Sequence, residues 1–306
     1  MRERNVITGI CGAVFALVTG LSSPALAQSA TATAHTAPAT TATAQAAIAQ
    51  AGVARPQPEV YGRASYLLDA STGKALLDDN AGDRLPIASL TKVMTAYVVL
   101  REARLTDTVQ ITRADESYAD DHGGTSADLR PGDRVPVGEL LYGLLLPSGA
   151  DAAHALARTY GPGVDGFVAK MNATARRLGL RDTLYVNADG LPMPGGDGYS
   201  TAQDQARLAA AALRDATFTK VTSTESHSVG ETAQHRAYTW TNTNHLLGEP
   251  GVLGVKTGFT NAAGYCLTFA ADRDGRRLVG VILGEDVSSR RFSTAESLLD
   301  WGSSAS

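Results

Sequence analysis

The spacing of apolar and polar positions divides the 306-residue chain into an apolar start, a patternless stretch and a long patterned remainder. Arg2 and Arg4 precede a short apolar run from Val6 to Leu21, and Ala25-Leu26-Ala27 follows it. The run is shorter than the roughly 20 residues that span a bilayer. With its positive start and small-x-small end it reads as a signal peptide over residues 1–27, cleaved after Ala27. Residues 28–56 are Ala, Thr, Gln and Pro with little bulky apolar surface, which predicts a disordered linker. Residues 57–304 carry the pattern of one folded domain.

Within that domain, Tyr61 to Asp78 predicts two strands around a turn at Asp69–Lys74. Pro86 to Leu100 is apolar on nearly every side and predicts a buried helix opened by its proline. Helices are further predicted over 137–146, 151–160, 168–180 and 201–213, with a polar loop at 120–124 and a Gly/Pro-rich loop at 187–200. Residues 254–258, 265–271 and 278–283 read as strands, with a turn at Asp272–Gly275, and Phe292, Ala295, Leu298 and Leu299 mark a closing helix. Strands at both ends with helices between them predict an α+β fold. One sheet is assembled from the two termini around an inserted, mostly helical region.

Composition narrows the function classes. A net charge of −4, no Lys/Arg cluster and 6% aromatic residues argue against a nucleic-acid surface. Cys11 leaves with the signal peptide, so the mature chain keeps Cys266 alone and has no intramolecular disulfide. The six histidines form no recognisable zinc pattern, and there is no Gly-x-Ser-x-Gly elbow.

Candidate chemistry lies in the apolar helix. Ser89 and Lys92 are three residues apart, which stacks their side chains on one face. Burial lowers a lysine's pKa toward that of a usable base, and a hydroxyl beside such an amine is an activated nucleophile. Spacing alone is weak evidence, since 20 Ser and 5 Lys give about 0.3 such pairs by chance. Ser71 and Lys74 share the spacing but fall in the predicted turn, where it does not align two side chains. Ser148 sits at the break between two predicted helices, after Pro147.

The order Ser89-x-x-Lys92, Ser148-Gly149-x, Lys256-Thr257-Gly258 resembles that of the penicillin-recognising serine enzymes. The flanks are similar to the D-alanyl-D-alanine carboxypeptidases, the low-molecular-mass penicillin-binding proteins. They are Ile87 to Thr95, Leu129 to Asp133, Tyr199 to Ala202 and Gly254 to Cys266. The resemblance covers about Tyr61 to Trp301. It implies an antiparallel sheet flanked by helices, a mostly helical subdomain and a cleft between them. It further implies a serine-type hydrolase acting on peptidoglycan stem peptides ending in D-Ala-D-Ala, acylated by β-lactams, with no metal or cofactor.

By the same resemblance Ser89 is the nucleophile, Lys92 its base and Ser148 a proton relay. Lys256 and Thr257 hold the substrate carboxylate, and Gly258 lets substrate lie along the strand. The backbone N–H groups of Ser89 and Phe259 form the oxyanion hole. The mature protein is expected to be exported, secreted or wall-associated, without a transmembrane anchor. One departure stands out: Ala150 occupies a position where the family usually has Asn, which predicts a slower or differently selective enzyme. Rival readings are a transpeptidase using the same acyl-enzyme, a β-lactamase, and a non-catalytic muropeptide-binding domain.

Overall fold

The computed structural model describes residues 56–304. The predicted signal peptide, and the predicted linker through residue 55, lie outside them. A hairpin opens the domain, β1 (Ala64–Asp69) pairing with β2 (Lys74–Asp79). Ser71 and Lys74 belong to its turn and strand start, and Ser71 Oγ accepts the Arg277 N–H at 2.9 Å. A 3₁₀ turn (Ala88–Leu90) then runs into α1 (Thr91–Glu102).

The predicted helix start is therefore corrected. Pro86 lies before the turn, and Ala88 adopts a φ of 47°, which no continuous helix allows. Ser89 sits in the turn and Lys92 in the first turn of α1.

The inserted region continues through β3 (Thr108–Gln110), α2 (Arg113–Asp121) and β4 (Arg134–Pro136). It goes on with α3 (Val137–Leu145), α4 (Ala150–Tyr160), α5 (Gly163–Arg177), α6 (Ala202–Ala212) and α7 (Ala216–Thr222), then a hairpin of β5 (Ser226–Val229) and β6 (Tyr238–Thr241). Helix α2 was not expected, and it absorbs the start of the supposed polar loop at 120–124. A reciprocal cap starts it: Thr112 Oγ1 accepts the Asp115 N–H, and Asp115 accepts the Thr112 N–H. Helix α5 begins at Gly163, five residues before the predicted start.

The chain returns to the sheet with β7 (Val252–Thr260), β8 (Gly264–Arg273) and β9 (Arg276–Glu285), and ends in α8 (Arg290–Ser304). The sheet is antiparallel in the order β2-β1-β9-β8-β7, so both chain ends build it, as expected. Its central strands are buried along nearly their whole length because both faces are covered. On one face Leu67, Phe269 and Ile282 pack against Leu298 and Leu299 of α8. On the other, Tyr66, Leu68, Val279 and Val281 join the core of the helical region. Each fully buried side chain of this kind contributes roughly 1.5–3 kcal/mol. No described helix is long and apolar enough to cross a membrane.

Candidate active site

Edge strand β7 and the 3₁₀ turn close on one another, and the cleft forms where they meet. A Cβ added at Gly258 would lie 3.1 Å from Ser89 N and Ile87 O and 3.2 Å from the Ala88 Cβ. Glycine suits this position because the strand is pressed against the serine turn, and a side chain would force that turn to give by a few tenths of an ångström. This close approach is a second ground for glycine, beside the room for substrate along the strand that the resemblance implies.

The cleft has a volume of about 320 Å³ and is lined by Ser89, Ser148, Thr243, Thr257, Gly258 and Phe259, with Leu191 and Arg291 among its other walls. Lys92 and Lys256 lie in the protein beneath this lining, each 1% exposed.

Lys92 Nζ is 2.9 Å from Ser89 Oγ and donates to the Asp189 carbonyl at 3.0 Å. Burial brings its pKa down from 10.5 to about 8, against the charges of Asp189 and Asp151, which favour the ammonium form. The amine can thus give up its proton near neutral pH, as a base for a hydroxyl must.

Ser148 takes a φ of 70°, a left-handed conformation that costs a non-glycine residue about 1–3 kcal/mol. Three bonds around it hold the strain. Its carbonyl accepts from Thr125 Oγ1 at 2.8 Å, the Gly149 N–H reaches the Gly143 carbonyl, and the Ala150 N–H reaches the Thr125 carbonyl. The loop carrying Thr125 is tied to α4 by Asp151, whose carboxylate takes Ser126 Oγ and the N–H groups of Ala127 and Leu129. Ser148 Oγ is buried with no hydrogen-bond partner among the described residues. A buried hydroxyl left this way is open to a substrate atom.

On the strand side, Lys256 Nζ donates to the Thr257 carbonyl at 3.0 Å. Burial, with Lys92 and Arg291 pushing the same way, holds its pKa well below the usual lysine range. Thr257 Oγ1 and Thr243 Oγ1 lie 2.6 Å apart. Arg291 enters from α8 and donates to the Gly258 and Cys266 carbonyls at 3.1 and 3.2 Å. Phe259 is 49% exposed at the cleft mouth and stacks on Tyr265.

All seven candidate residues therefore converge: Ser89, Ser148, Thr257, Gly258 and Phe259 line the cleft, and both lysines lie beneath it. Thr243, Arg291 and Asp189 were missed. Neither Thr243 nor Arg291 lies in a short motif; Asn187 and Asp189 with Gly190 do form a turn-rich signal, but one that reads only as loop.

A sequence model of the peptidase S11 family, D-alanyl-D-alanine carboxypeptidase, matches residues 49–287. The D-alanyl-D-alanine carboxypeptidase of Streptomyces sp. (strain K15) is 38% identical over 259 residues, covering 80% of this chain and 88% of the relative. DacC of Escherichia coli (strain K12) is 36% identical over 80% of this chain, and DacF of Bacillus subtilis (strain 168) 34% over 78%. The chain spans only 62% and 61% of the length of these two. Among solved structures, the Streptomyces K15 DD-transpeptidase superposes with a TM-score of 0.76 at 37% identity, covering 80% of this chain and 98% of that one. A D-alanyl-D-alanine carboxypeptidase from Mycobacterium tuberculosis H37Rv gives 0.74 at 35%, covering 82% and 94%.

Proposed function

The chain belongs to the D-alanyl-D-alanine carboxypeptidase family, and on that premise we propose that it is an exported enzyme that trims peptidoglycan stem peptides through an acyl-enzyme on Ser89. One observation carries the reading: a buried amine poised near neutrality stands 2.9 Å from a serine hydroxyl on the wall of a cleft.

In this reading neutral Lys92 takes the Ser89 Oγ proton as Oγ bonds to the carbonyl carbon of the penultimate D-alanine. The N–H groups of Ser89 and Phe259 receive the developing oxyanion. As the tetrahedral species collapses the C–N bond breaks, and the proton held by Lys92 is relayed through the Ser148 hydroxyl to the departing D-alanine nitrogen, which returns Lys92 to its neutral form. Water then cleaves the ester and restores Ser89. A β-lactam follows the same first step, its ring C–N bond being the one that opens.

Lys256, Thr257 and Arg291 hold the substrate's terminal carboxylate. An anion there offsets the burial and the neighbouring positive charges that disfavour the ammonium form of Lys256. The folded enzyme is assigned to residues 57–304, behind a cleaved signal over 1–27 and a linker over 28–56. A second reading, transfer of the acyl group to an amine, is favoured by the likeness to a structure named as a DD-transpeptidase.

The test is the intact mass of the protein after incubation with benzylpenicillin, beside Ser89→Ala. An adduct on the wild type alone is expected, and release of D-alanine from a stem peptide then separates hydrolysis from transfer. No adduct with the drug intact would leave a binding domain, and no adduct with the drug consumed would leave a β-lactamase.

A further inference from the structure

Lys92 has a second protein contact besides Ser89, and that contact is itself built with care. We propose that Asp189 and Tyr118 are positioning residues for Lys92, aiming its lone pair at Ser89 and fixing the negative charge it faces. This rests on the reading of Lys92 as the base.

A neutral lysine has two N–H donors and one lone pair. When one N–H is committed to the Asp189 carbonyl, the amine has little freedom to turn, and the lone pair can face the Ser89 hydroxyl. That carbonyl is immobilised from several directions. Asp189 Oδ1 accepts the Leu191 N–H at 2.7 Å and Oδ2 accepts the Tyr118 hydroxyl at 2.9 Å. Thr95, nearly one turn along α1 from Lys92, donates to the Ala188 carbonyl at 2.6 Å, and Asn187 closes the loop through the Gly190 N–H and the Leu191 carbonyl. Gly190 has a φ of 85°, and a Cβ there would strike the Ala88 carbonyl oxygen at 1.9 Å. The loop is thus stitched to both the base helix and the serine turn.

Tyr118 is clamped between the rings of His122 and His154, with centroids 4.2 and 4.5 Å away. His154 and Arg158 in turn hold the buried Asp115 carboxylate. The charged groups around Lys92 are Asp189 on this loop, Asp151 on α4 and Lys256 on β7. Asp151 is already occupied by three groups of the 126–129 loop, so Asp189 is the acid tied to Lys92 through its own backbone.

The experiment titrates the full chain carrying ¹³C-labelled lysine by NMR. There are five lysines, Lys74, Lys92, Lys170, Lys220 and Lys256, and Lys92→Arg assigns the signal. Asp189→Asn keeps the shape and removes the charge, so Lys92 should titrate roughly one pH unit lower. Tyr118→Phe keeps both the stacked ring and the charge. Its Lys92 titration should stay in place while benzylpenicillin acylation slows about 10-fold at every pH, since the loop alone is loosened. A Lys92 that titrates identically in wild type and Asp189→Asn, or Tyr118→Phe acylating at the wild-type rate, overturns the proposal. If the wild type forms no adduct, the base reading fails separately, and the NMR titration still decides whether Asp189 sets the charge at Lys92.

Discussion

Two walls of the cleft each contain a buried lysine, and their surroundings differ in sign. Lys92, on the helical wall, faces Asp189 and Asp151; Lys256, on the strand wall, faces Lys92 and Arg291. Burial disfavours the ammonium form of both, but on the helical wall the acids limit the fall to about 8, and on the strand wall nearby cations deepen it. A lysine balanced near neutrality suits a proton that must leave and return. A lysine without an acid partner suits an anion that must arrive from outside. Residue type and burial are the same at both positions, so under the proposed function it is the neighbours that separate a base from an anion holder.

The widest expected gap between the walls is kinetic. Lys92→Met should slow benzylpenicillin acylation on the order of 10³-fold, since it removes the proposed proton acceptor. Lys256→Met loses a charge-assisted contact of about 1.5–3 kcal/mol, roughly 10- to 150-fold in rate. Acylation followed by intact mass measures both, and equal losses would break the comparison.

A smaller effect appears in stability, with the opposite benefit. The folded protein binds the Lys92 proton less tightly than the unfolded chain, so the cost of burying the charge is full below about pH 8 and vanishes above about 10.5. That cost is about 3 kcal/mol, partly offset in a variant by the Asp189 carbonyl left without its donor. Lys92→Met should therefore raise stability at pH 7 by about 1–3 kcal/mol, several degrees in Tm, with the gain fading toward pH 10.5. Lys256→Met should gain more, having no acid to relieve it. Denaturant melts at pH 7 and pH 10 check the order; a larger gain for Lys92→Met would reverse the assignment of the walls.

Long elements of the fold were legible because long apolar periods name their own structure. That held for the three strands of the C-terminal half and for α1, α3, α4, α6 and α8. Of the short elements, β1 and β2 were legible through the turn between them, and several others were not. Helix α2 depends on the Thr112–Asp115 cap, and β5 and β6 on each other's pairing, none of which is an apolar period. Pro86 misled because a proline that can open a helix equally suits the extended approach to one. At the site, Ser89, Lys92, Ser148 and the Lys256–Phe259 run could be named because motifs carry them. Asp189, Tyr118, Thr243 and Arg291 could not, because their places follow from tertiary bonds between distant segments.

Ala150 sharpens the contrast last and least. By resemblance an asparagine belongs there, and its absence predicts a contact missing from the Lys92 wall. In the fold the methyl group is fully buried and packs with Ala119 and Leu191 against Tyr118. A Cβ built on Gly124 would lie only 3.2 Å from it, so the space is tight. An added amide must push into Leu191 and Tyr118, the neighbours that bracket Asp189. Overpacking of this kind costs about 1–3 kcal/mol. Ala150→Asn is therefore expected to lower Tm by a few degrees and to give no faster acylation. A faster variant would mean that the amide reaches Lys92, and that the helical wall keeps a place for a polar side chain which Asp189 and Tyr118 do not fill.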